Sequence, residues 1–226
     1  MKSVTIPGTG ERFDLEQPGA VAAWNRALNR RYGMENLRAH PNRLVRWIEA
    51  RRRRKIAALV PPFTRALDLG AEDGSLARSW ADKGETVVLL DVDPEALRGG
   101  DAAGACAVAA DAGRIPLAAG CLDVVVLSAI LEHVVDPAAT LTECVRVLRP
   151  GGRLVAYVPW DRAVVGAKRW AKRFRFGFGK LHDGLAPGHL RVFDRKSLRA
   201  LFAGVATDVR IRLDPASFGY YVEASV

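Results

Sequence analysis

Cysteine is scarce in this chain, and long apolar runs are missing. Its 226 residues include only three cysteines, Cys106, Cys121 and Cys144, and no two of them form a Cys-x-x-Cys pair. Their wide separation argues against a disulfide framework or a thiolate metal site, so we interpret them as small core residues. The mostly apolar segments, such as Leu122 to Leu127, have the length of a strand and are too short to span a bilayer.

The first residues lack the pattern of a secretory signal. Met1-Lys2-Ser3 is not followed by an apolar segment, which predicts a cytoplasmic protein. Internal repeats and low-complexity segments are also missing from the sequence. With 49% hydrophobic residues, the chain is large enough for one substantial core and a small appendage.

The net charge of +9 is unevenly distributed along the chain. Residues 1–60 hold 13 Lys/Arg against 5 Asp/Glu, residues 61–160 hold 8 against 14, and residues 161–226 hold 13 against 6. We therefore expect an acidic ligand-binding middle with two basic flanks. Such flanks attract anionic partners, among them acidic lipid headgroups, nucleic acid or a charged substrate.

Short apolar segments alternate with helical patterns through most of the chain. Strands are predicted at Ala66–Leu69, Thr86–Leu90, Ala105–Ala109, Leu122–Leu127, Arg153–Val158, Val205–Leu213 and Phe218–Val226. Helices are predicted at Ser75–Asp82, Pro94–Leu97, Pro137–Leu148 and Arg195–Phe202. This alternation predicts an α/β fold with a doubly wound, mostly parallel sheet of seven strands, whose last two strands form an antiparallel edge hairpin.

Residues 1–60 differ from this pattern. They contain a short predicted helix at Val21–Arg31 and a second helix that begins after the cap residue Asn42 and ends before Pro61-Pro62. We predict a basic, helical N-terminal arm or lid over 1–60, followed by a domain over 61–226 with a basic amphipathic insertion at about 160–190.

The most informative segment runs from Arg65 to Gly74, with the sequence RALDLGAEDG. It reads as a buried strand that turns through glycines into a helical pattern, which suits a nucleotide-like ligand. Asp91, Asp111 and Ser128 close the next predicted strands. In an open α/β sheet such strand ends point to one crevice, so we predict a shared ligand site.

A dinucleotide is disfavoured as that ligand. Pyrophosphate binding requires Gly-x-Gly-x-x-Gly, but counting from Gly70 this chain has Glu72 and Ser75 at the next two glycine positions. The carboxylate of Glu72 would also repel a pyrophosphate.

Several segments together resemble class I S-adenosylmethionine-dependent methyltransferases of the small-molecule type. They are LDLGAEDG at 67–74, LDVDP at 90–94, ADA at 110–112 with IPL at 115–117, DVVV at 123–126, LEHV at 131–134 and ECVRVLRPGG at 143–152. The match covers about residues 64–160, and GHLRVFDRKSL at 188–198 resembles the segment before that family's last helix. As a set, these motifs are specific for the cofactor rather than the acceptor.

The resemblance implies that S-adenosylmethionine is the cofactor and that nine residues contact or shape its pocket: Asp68, Gly70, Ala71, Gly74, Asp91, Val92, Asp111, Ala112 and Ser128. By the resemblance, Asp91 holds the ribose, and Asp111 with the Ala112 backbone reads the adenine. The carbonyl of Ser128 faces the methionine amine. A methyl acceptor that carries a proton needs a base, for which His133 and His189 are the candidates. We expect no metal.

Glu72 is the one departure, since the resembling family usually has a glycine there. It leaves open a degenerate member that keeps the fold as a binding or scaffolding protein. The favoured interpretation is an active methyltransferase that modifies an oxygen or nitrogen of a small, anionic or lipid-linked acceptor.

The segment 160–180 has apolar residues at helical spacing and Lys/Arg on the other side. Such a helix can lie on an anionic membrane, cover a substrate pocket or pack on the core. We therefore predict a cytoplasmic protein with a potential peripheral contact to the membrane. An RNA acceptor is disfavoured, because Ser128–His133 lacks the Asn-Pro-Pro-Tyr-like pattern of nucleic-acid amino methyltransferases.

Overall fold

A twisted seven-stranded sheet organises the molecule. The computed structural model describes residues 3–5, 10–15, 17, 19–32, 40–98, 105–163, 165–166 and 189–226. The strands of the sheet are β3 (Phe63–Leu69), β4 (Gly84–Asp91), β5 (Cys106–Ala109), β6 (Leu122–Ser128), β7 (Leu148–Pro159), β8 (Asp208–Asp214) and β9 (Gly219–Ser225). A separate two-stranded sheet pairs β1 (Ser3–Thr5) with β2 (Arg12–Asp14).

The helices lie before and between the strands. They are α1 (Ala20–Tyr32), α2 (Arg43–Leu59), α3 (Pro94–Leu97), α4 (Pro137–Val147) and α5 (Arg195–Ala203). α2 begins at the predicted cap Asn42, whose side chain accepts the N–H of Leu44. α4 begins at Asp136, whose side chain accepts the N–H groups of Ala138 and Ala139. In the described part of the chain, no helix is both long and apolar enough to cross a membrane.

The strand order confirms the predicted fold class. The order is β5-β4-β3-β6-β7-β9-β8, in which β5, β4, β3, β6 and β7 are parallel. β9 runs antiparallel to both β7 and β8, so the last two strands form the predicted hairpin at the edge. The order reverses between β3 and β6, and a doubly wound sheet opens its ligand crevice at this point.

The core lies on both faces of the sheet, as the alternation of side chains along β3 illustrates. Leu67 and Leu69 belong to a cluster with Leu141 of α4 and Phe202 of α5. Ala66 points to the other face and belongs to a cluster that includes Ile56 of α2. Because each face is covered by helices, the inner strands are apolar on both sides.

One predicted helix is wrong. Ser75–Asp82 does not form an α-helix; it contains two short 3₁₀ helices, Ala77–Ser79 and Ala81–Lys83. The connection has little length to use, because β4 already begins at Gly84. Trp80, fully buried, lies edge-on to Phe63 with ring centroids 5.7 Å apart, and its packing takes precedence over helical spacing.

The interpretation of all three cysteines as core residues is also only partly right. Cys144 is buried on α4, whereas Cys106 is exposed on β5. β5 is the edge strand of the sheet, so its side chains have neighbours on one flank only. The amphipathic pattern of 160–180 lies outside the described residues after Gly166, as does most of the predicted insertion.

The N-terminal helices pack against the sheet domain. Trp24 and Leu28 of α1 form a small core with β1, β2 and Leu190. α2 is tied to the end of β8, where Arg51 Nε and Lys55 Nζ lie 2.9 and 2.7 Å from Asp214 Oδ2. These contacts join residues 1–60 closely to the sheet domain. The predicted domain boundary at residue 60 stays a prediction.

Candidate functional site

A cavity of about 510 Å³ opens beyond the carboxyl ends of β3 to β7. Its lining includes the residues that follow or close these strands, among them Gly70, Asp91, Asp111, Ser128 and Pro159. This volume is typical of pockets that bind small molecules and cofactors. The position is the switch point between β3 and β6, as the sequence pattern predicted for a ligand site.

The loop after β3 forms one wall of this cavity. Gly70 has a φ of +75° and Gly74 a φ of +66°. Residues other than glycine rarely adopt this left-handed backbone conformation. A Cβ on Gly70 would lie 2.9 Å from Ile130 Cδ1. The N–H groups of Gly70 and Ala71 donate to the carbonyl of Leu90 at 2.8 and 3.1 Å, which anchors the loop on the end of β4.

Glu72 lines the cavity with a left-handed backbone. Its φ is 47°, a region that costs a non-glycine residue roughly 1–2 kcal/mol. The backbone N–H of Glu72 donates to Asp91 Oδ2 at 3.0 Å. The loop thus keeps the shape that a glycine would favour, with a carboxylate in place of a hydrogen atom.

Asp91 closes β4 and is 7% exposed. Its Oδ1 accepts the N–H of Asp93 at 2.9 Å, and its Oδ2 accepts the N–H of Glu72. Burial raises the pKa of Asp91, and these backbone hydrogen bonds oppose the rise. Each carboxylate oxygen keeps a further lone pair, so Asp91 can still accept two hydroxyl donors from the cavity.

Asp111 and Ala112 lie at the rim beyond β5. Asp111 is exposed, and its Oδ1 accepts the N–H of Gly113 at 2.7 Å. Ala112 is buried, and both Ala112 and Val92, which follows β4, line the cavity. The remaining oxygen of Asp111 can accept a hydrogen bond from an amino group of a base, the role that the resemblance implies for it.

Three residues of the predicted cofactor set are not in the cavity lining: Asp68, Ala71 and Gly74. A Cβ on Gly74 would lie 2.7 Å from Leu89 Cδ1, so this glycine allows the loop to pack on β4. Asp68 is 1% exposed, and its Oδ2 has no hydrogen-bond partner within the described ranges. Burial raises the pKa of Asp68 to about 8, against a backbone hydrogen bond from Ala77.

Ser128 closes β6 beside the cavity. Its buried hydroxyl has no hydrogen-bond partner among the residues that the structure describes. The next residue, Ala129, has a φ of 57° and donates its N–H to the carbonyl of Tyr157 at 2.9 Å. An unsatisfied buried hydroxyl next to a pocket is a ready partner for a polar ligand group.

The two candidate bases, His133 and His189, also line the cavity. The rings of His133 and His189 meet edge to face, with centroids 4.8 Å apart. His189 Nδ1 lies 2.9 Å from Asp161 Oδ2, and both side chains are almost fully buried. The fold thus brings together two histidines that the sequence could only name separately.

Glu132 lies between these histidines and is fully buried. Its Oε1 is 4.0 Å from His133 Nε2 and 3.9 Å from His189 Nε2. Burial raises the pKa of Glu132 to about 7, and the nearby charge of His189 opposes the rise. Glu132 was predicted only as part of the LEHV motif at 131–134. A carboxylate in an otherwise apolar stretch just after a strand is the signal that could have identified it.

Sequence reasoning also missed the contributions of the N-terminal helices. Val21, Asn25 and Leu28 of α1 line the cavity, and the ring of Trp24 lies 6.3 Å from that of His133. Arg52 of α2 reaches the same space and pairs with Glu49 at 2.8 Å. Their positions depend on packing between distant parts of the chain, which no local pattern reveals.

Comparison with known proteins gives a family match within the sheet domain. Residues 67–156 match the family model described as a methyltransferase domain. The demethylmenaquinone methyltransferase of Mycolicibacterium vanbaalenii is 37% identical over 145 residues, which are 64% of this chain and 62% of that protein. A protein of the same name from Mycobacterium marinum is 35% identical over 140 residues, 62% of this chain and 59% of the relative. This chain therefore spans less than two thirds of the length of these curated relatives.

Solved structures share the fold at low identity. The N-methyltransferase NodS of Bradyrhizobium japonicum, in complex with S-adenosyl-L-homocysteine, has a TM-score of 0.62 at 16% identity and covers 90% of this chain and 96% of its own. A structure from Thermotoga maritima, described as a S-adenosylmethionine-dependent methyltransferase and possible histamine N-methyltransferase, has a TM-score of 0.63 at 15% identity over 91% and 99% of the two chains.

Proposed function

Because this chain carries a methyltransferase domain of the class I S-adenosylmethionine-dependent type, we propose that it transfers a methyl group to an oxygen or nitrogen of a small, lipid-linked acceptor. One observation carries the proposal. Asp91 and Ser128 end β4 and β6, Asp111 follows β5, and all three line the same cavity within the matched domain.

The cavity residues fit the cofactor. Asp91 offers two buried carboxylate oxygens for the ribose hydroxyls, and Asp111 offers an acceptor for the adenine amino group. Ser128 lines the cavity with an unsatisfied hydroxyl, and we assign its hydroxyl and carbonyl to the methionine amine. The bound cofactor supplies a methyl group on a sulfonium, which a nucleophile displaces in line; the protein contributes position and dehydration.

The other half of the cavity suits an acceptor with an apolar body and a polar reactive group. Its apolar lining comes from α1, from the segment after β6 and from α4: Val21, Leu28, Val134, Val135 and Ala139. His133, His189 and Glu132 provide the polar end, with titratable groups of the kind that take a proton from an acceptor. This division supports a lipid-linked acceptor, as does the name demethylmenaquinone methyltransferase of the relatives.

The outer surface of α2 supports delivery of such an acceptor from a membrane. Leu44 and Trp47 are 47% and 46% exposed, and the guanidinium of Arg51 lies 5.7 Å from the centre of the Trp47 ring. Exposed apolar side chains among Arg residues favour an anionic bilayer surface. The proposed contact is peripheral.

Methyl transfer from labelled S-adenosylmethionine tests the proposal. The acceptors are a reduced lipid-linked quinone in anionic vesicles, a lipid-linked amine, and RNA as the competing class. We expect label in the lipid extract for the wild-type protein, loss of it for Asp91→Ala, and wild-type rates for Asp208→Asn, which changes only an exposed pair with Arg210. A protein that binds S-adenosylhomocysteine and labels none of the lipid acceptors would contradict the proposal and leave the scaffold interpretation.

A further inference from the structure

Three side chains that can bind a metal lie together in the cavity, at the polar end proposed for the acceptor, which we call the acceptor end. Glu132, His133 and His189 each offer one ligand atom, and these atoms all lie within 4.8 Å of one another. Two imidazoles and one carboxylate form a ligand set typical of first-row divalent metals. All three residues line the cavity, so a metal among them would be reached by a substrate.

Glu132 supplies a second, independent indication. Its side chain is fully buried, yet neither carboxylate oxygen accepts a hydrogen bond from any part of the chain that the structure describes. A buried carboxyl without a partner is costly, and native proteins rarely keep one without a ligand, an ion or a function. A cation beside Glu132 would satisfy both oxygens.

A direct contact with the histidines does not provide this partner. Oε1 of Glu132 lies 4.0 Å from His133 Nε2 and 3.9 Å from His189 Nε2, beyond hydrogen-bond distance. With metal–ligand bonds of about 2.0–2.2 Å, the ligand atoms of a tetrahedral site lie about 3.4 Å apart. Shifts of less than about 1 Å in each side chain would therefore bring the ligand atoms of Glu132, His133 and His189 within bonding distance of one metal ion.

Asp161 completes the arrangement behind one ligand. Its Oδ2 lies 2.9 Å from His189 Nδ1, and its side chain is 2% exposed. A hydrogen bond at Nδ1 leaves the lone pair on Nε2, the atom that faces Glu132. Metal-ligating histidines commonly have such a carboxylate at their other ring nitrogen, which orients the ring and strengthens the ligand.

We propose that Glu132, His133 and His189 bind a divalent transition metal, with Asp161 as a positioning residue for His189. This reverses the expectation from sequence that no metal is used. Imidazole ligands favour Zn²⁺, Mn²⁺, Fe²⁺ or Co²⁺ over Mg²⁺ and Ca²⁺, which prefer oxygen. Three protein ligands leave coordination positions open toward the cavity.

The site deepens the proposed function, on which this step rests, by favouring an acceptor hydroxyl. A hydroxyl oxygen bound to the metal loses its proton to water more readily, because the cation stabilises the resulting oxyanion. That oxygen forms a bond to the methyl carbon while the carbon–sulfur bond breaks and its electron pair stays on sulfur. The products are a methyl ether and S-adenosylhomocysteine, and the metal does not change its oxidation state.

Metal binding can be tested without any acceptor. Chelator-treated, full-length protein is titrated with Zn²⁺ by calorimetry and with Co²⁺ by visible absorption, and each sample is also titrated with S-adenosylhomocysteine. We expect one Zn²⁺ per chain with micromolar or tighter affinity, and tetrahedral or five-coordinate Co²⁺ bands. Glu132→Gln and His189→Gln should each weaken binding at least about 100-fold, and Asp161→Asn about 10- to 100-fold.

His40→Gln is the matched control. The Nδ1 atom of His40 accepts the N–H of Asn42 at 3.1 Å, and His40 is not among the residues that line the cavity. The variant should bind metal like the wild type. Absence of stoichiometric binding by the wild type, or equal binding by both Glu132→Gln and His189→Gln, would overturn the proposal. Metal binding without affinity for S-adenosylhomocysteine would instead contradict the proposed function and leave the metal site intact.

Discussion

The backbone N–H of Glu72 donates to Asp91 Oδ2 across 3.0 Å. The residue that interrupts the expected glycine pattern is thus held by the carboxylate that we assign to the ribose. The hydrogen bond comes from the main chain, so any residue at position 72 can make it, provided that it adopts the left-handed backbone with φ near 47°. This hydrogen bond therefore does not depend on the carboxylate of Glu72.

Replacing Glu72 with glycine tests whether position 72 contributes through its backbone or through its side chain. In Glu72→Gly the left-handed conformation is relaxed by roughly 1 kcal/mol, partly offset by the greater freedom of glycine in the unfolded chain. We expect equal or higher thermal stability and equal or tighter binding of S-adenosylhomocysteine, measured by differential scanning fluorimetry and calorimetry.

Glu72→Ala is the control for that experiment, since it removes the carboxylate and keeps the strained backbone. It should bind S-adenosylhomocysteine like the wild type. A loss of affinity of tenfold or more in both variants would show that the Glu72 carboxylate contacts the cofactor.

Asp68 should make stability depend on pH. Its pKa is about 8 in the folded protein because of burial, against an ordinary value of 3.8. The folded state therefore holds a proton that the unfolded state releases above pH 4, so the free energy of unfolding falls as pH rises from about 4 to 8. The fall is at most about 1.4 kcal/mol per pH unit.

Asp68→Asn keeps the shape of the side chain and removes this proton. Urea unfolding of the cofactor-free protein at pH 5, 7 and 9 should show that the variant gains stability relative to the wild type as pH rises. A difference that stays constant, or one that grows toward acid, would contradict the assignment.

Asp214 should show the opposite dependence. Its pKa lies well below its usual range: burial would raise it, but hydrogen bonds from Arg51, Lys55 and Ser217 prevail. The stabilisation is present above the unfolded pKa of about 3.9 and is lost as pH falls below it. Asp214→Asn should lower the free energy of unfolding by roughly 1–3 kcal/mol at pH 7, with a smaller effect near pH 3.

Asp208→Asn, on the same strand, is the matched comparison. Asp208 pairs with Arg210 at 3.2 Å, but both side chains are more than half exposed. Exposed pairs contribute about 0–1 kcal/mol, so this variant should unfold within about 1 kcal/mol of the wild type. Equal losses in the two variants would contradict a special role for Asp214 in fixing α2.

The parts of the fold and site that sequence could predict are those set by local periodicity. The inner strands are mostly apolar, and Asp91, Asp111 and Ser128 stand at or just past strand ends. Their convergence therefore followed from parallel topology alone. The segment Ser75–Asp82 was mispredicted because helical spacing there reflects the burial of Trp80 in a short connection.

The acceptor end could not be predicted, because its parts come from distant segments. Glu132 and His133 follow β6, Asp161 follows β7, and His189 precedes α5. Sequence named the two histidines as separate candidate bases. Their edge-to-face contact and the carboxylates around them arise from packing between segments, which hydrophobic periodicity does not encode.

The central claim is that the cavity beyond β3, β4 and β6 is the S-adenosylmethionine site. Calorimetric titration of the wild type and of Asp91→Ala with S-adenosylhomocysteine tests it most directly, with Asp208→Asn as the folded control. We predict micromolar binding by the wild type and the control, and a loss of at least about 30-fold in Asp91→Ala, which removes two hydrogen-bond acceptors for the ribose. No heat from a folded wild-type protein, or equal affinity in Asp91→Ala, would contradict the account.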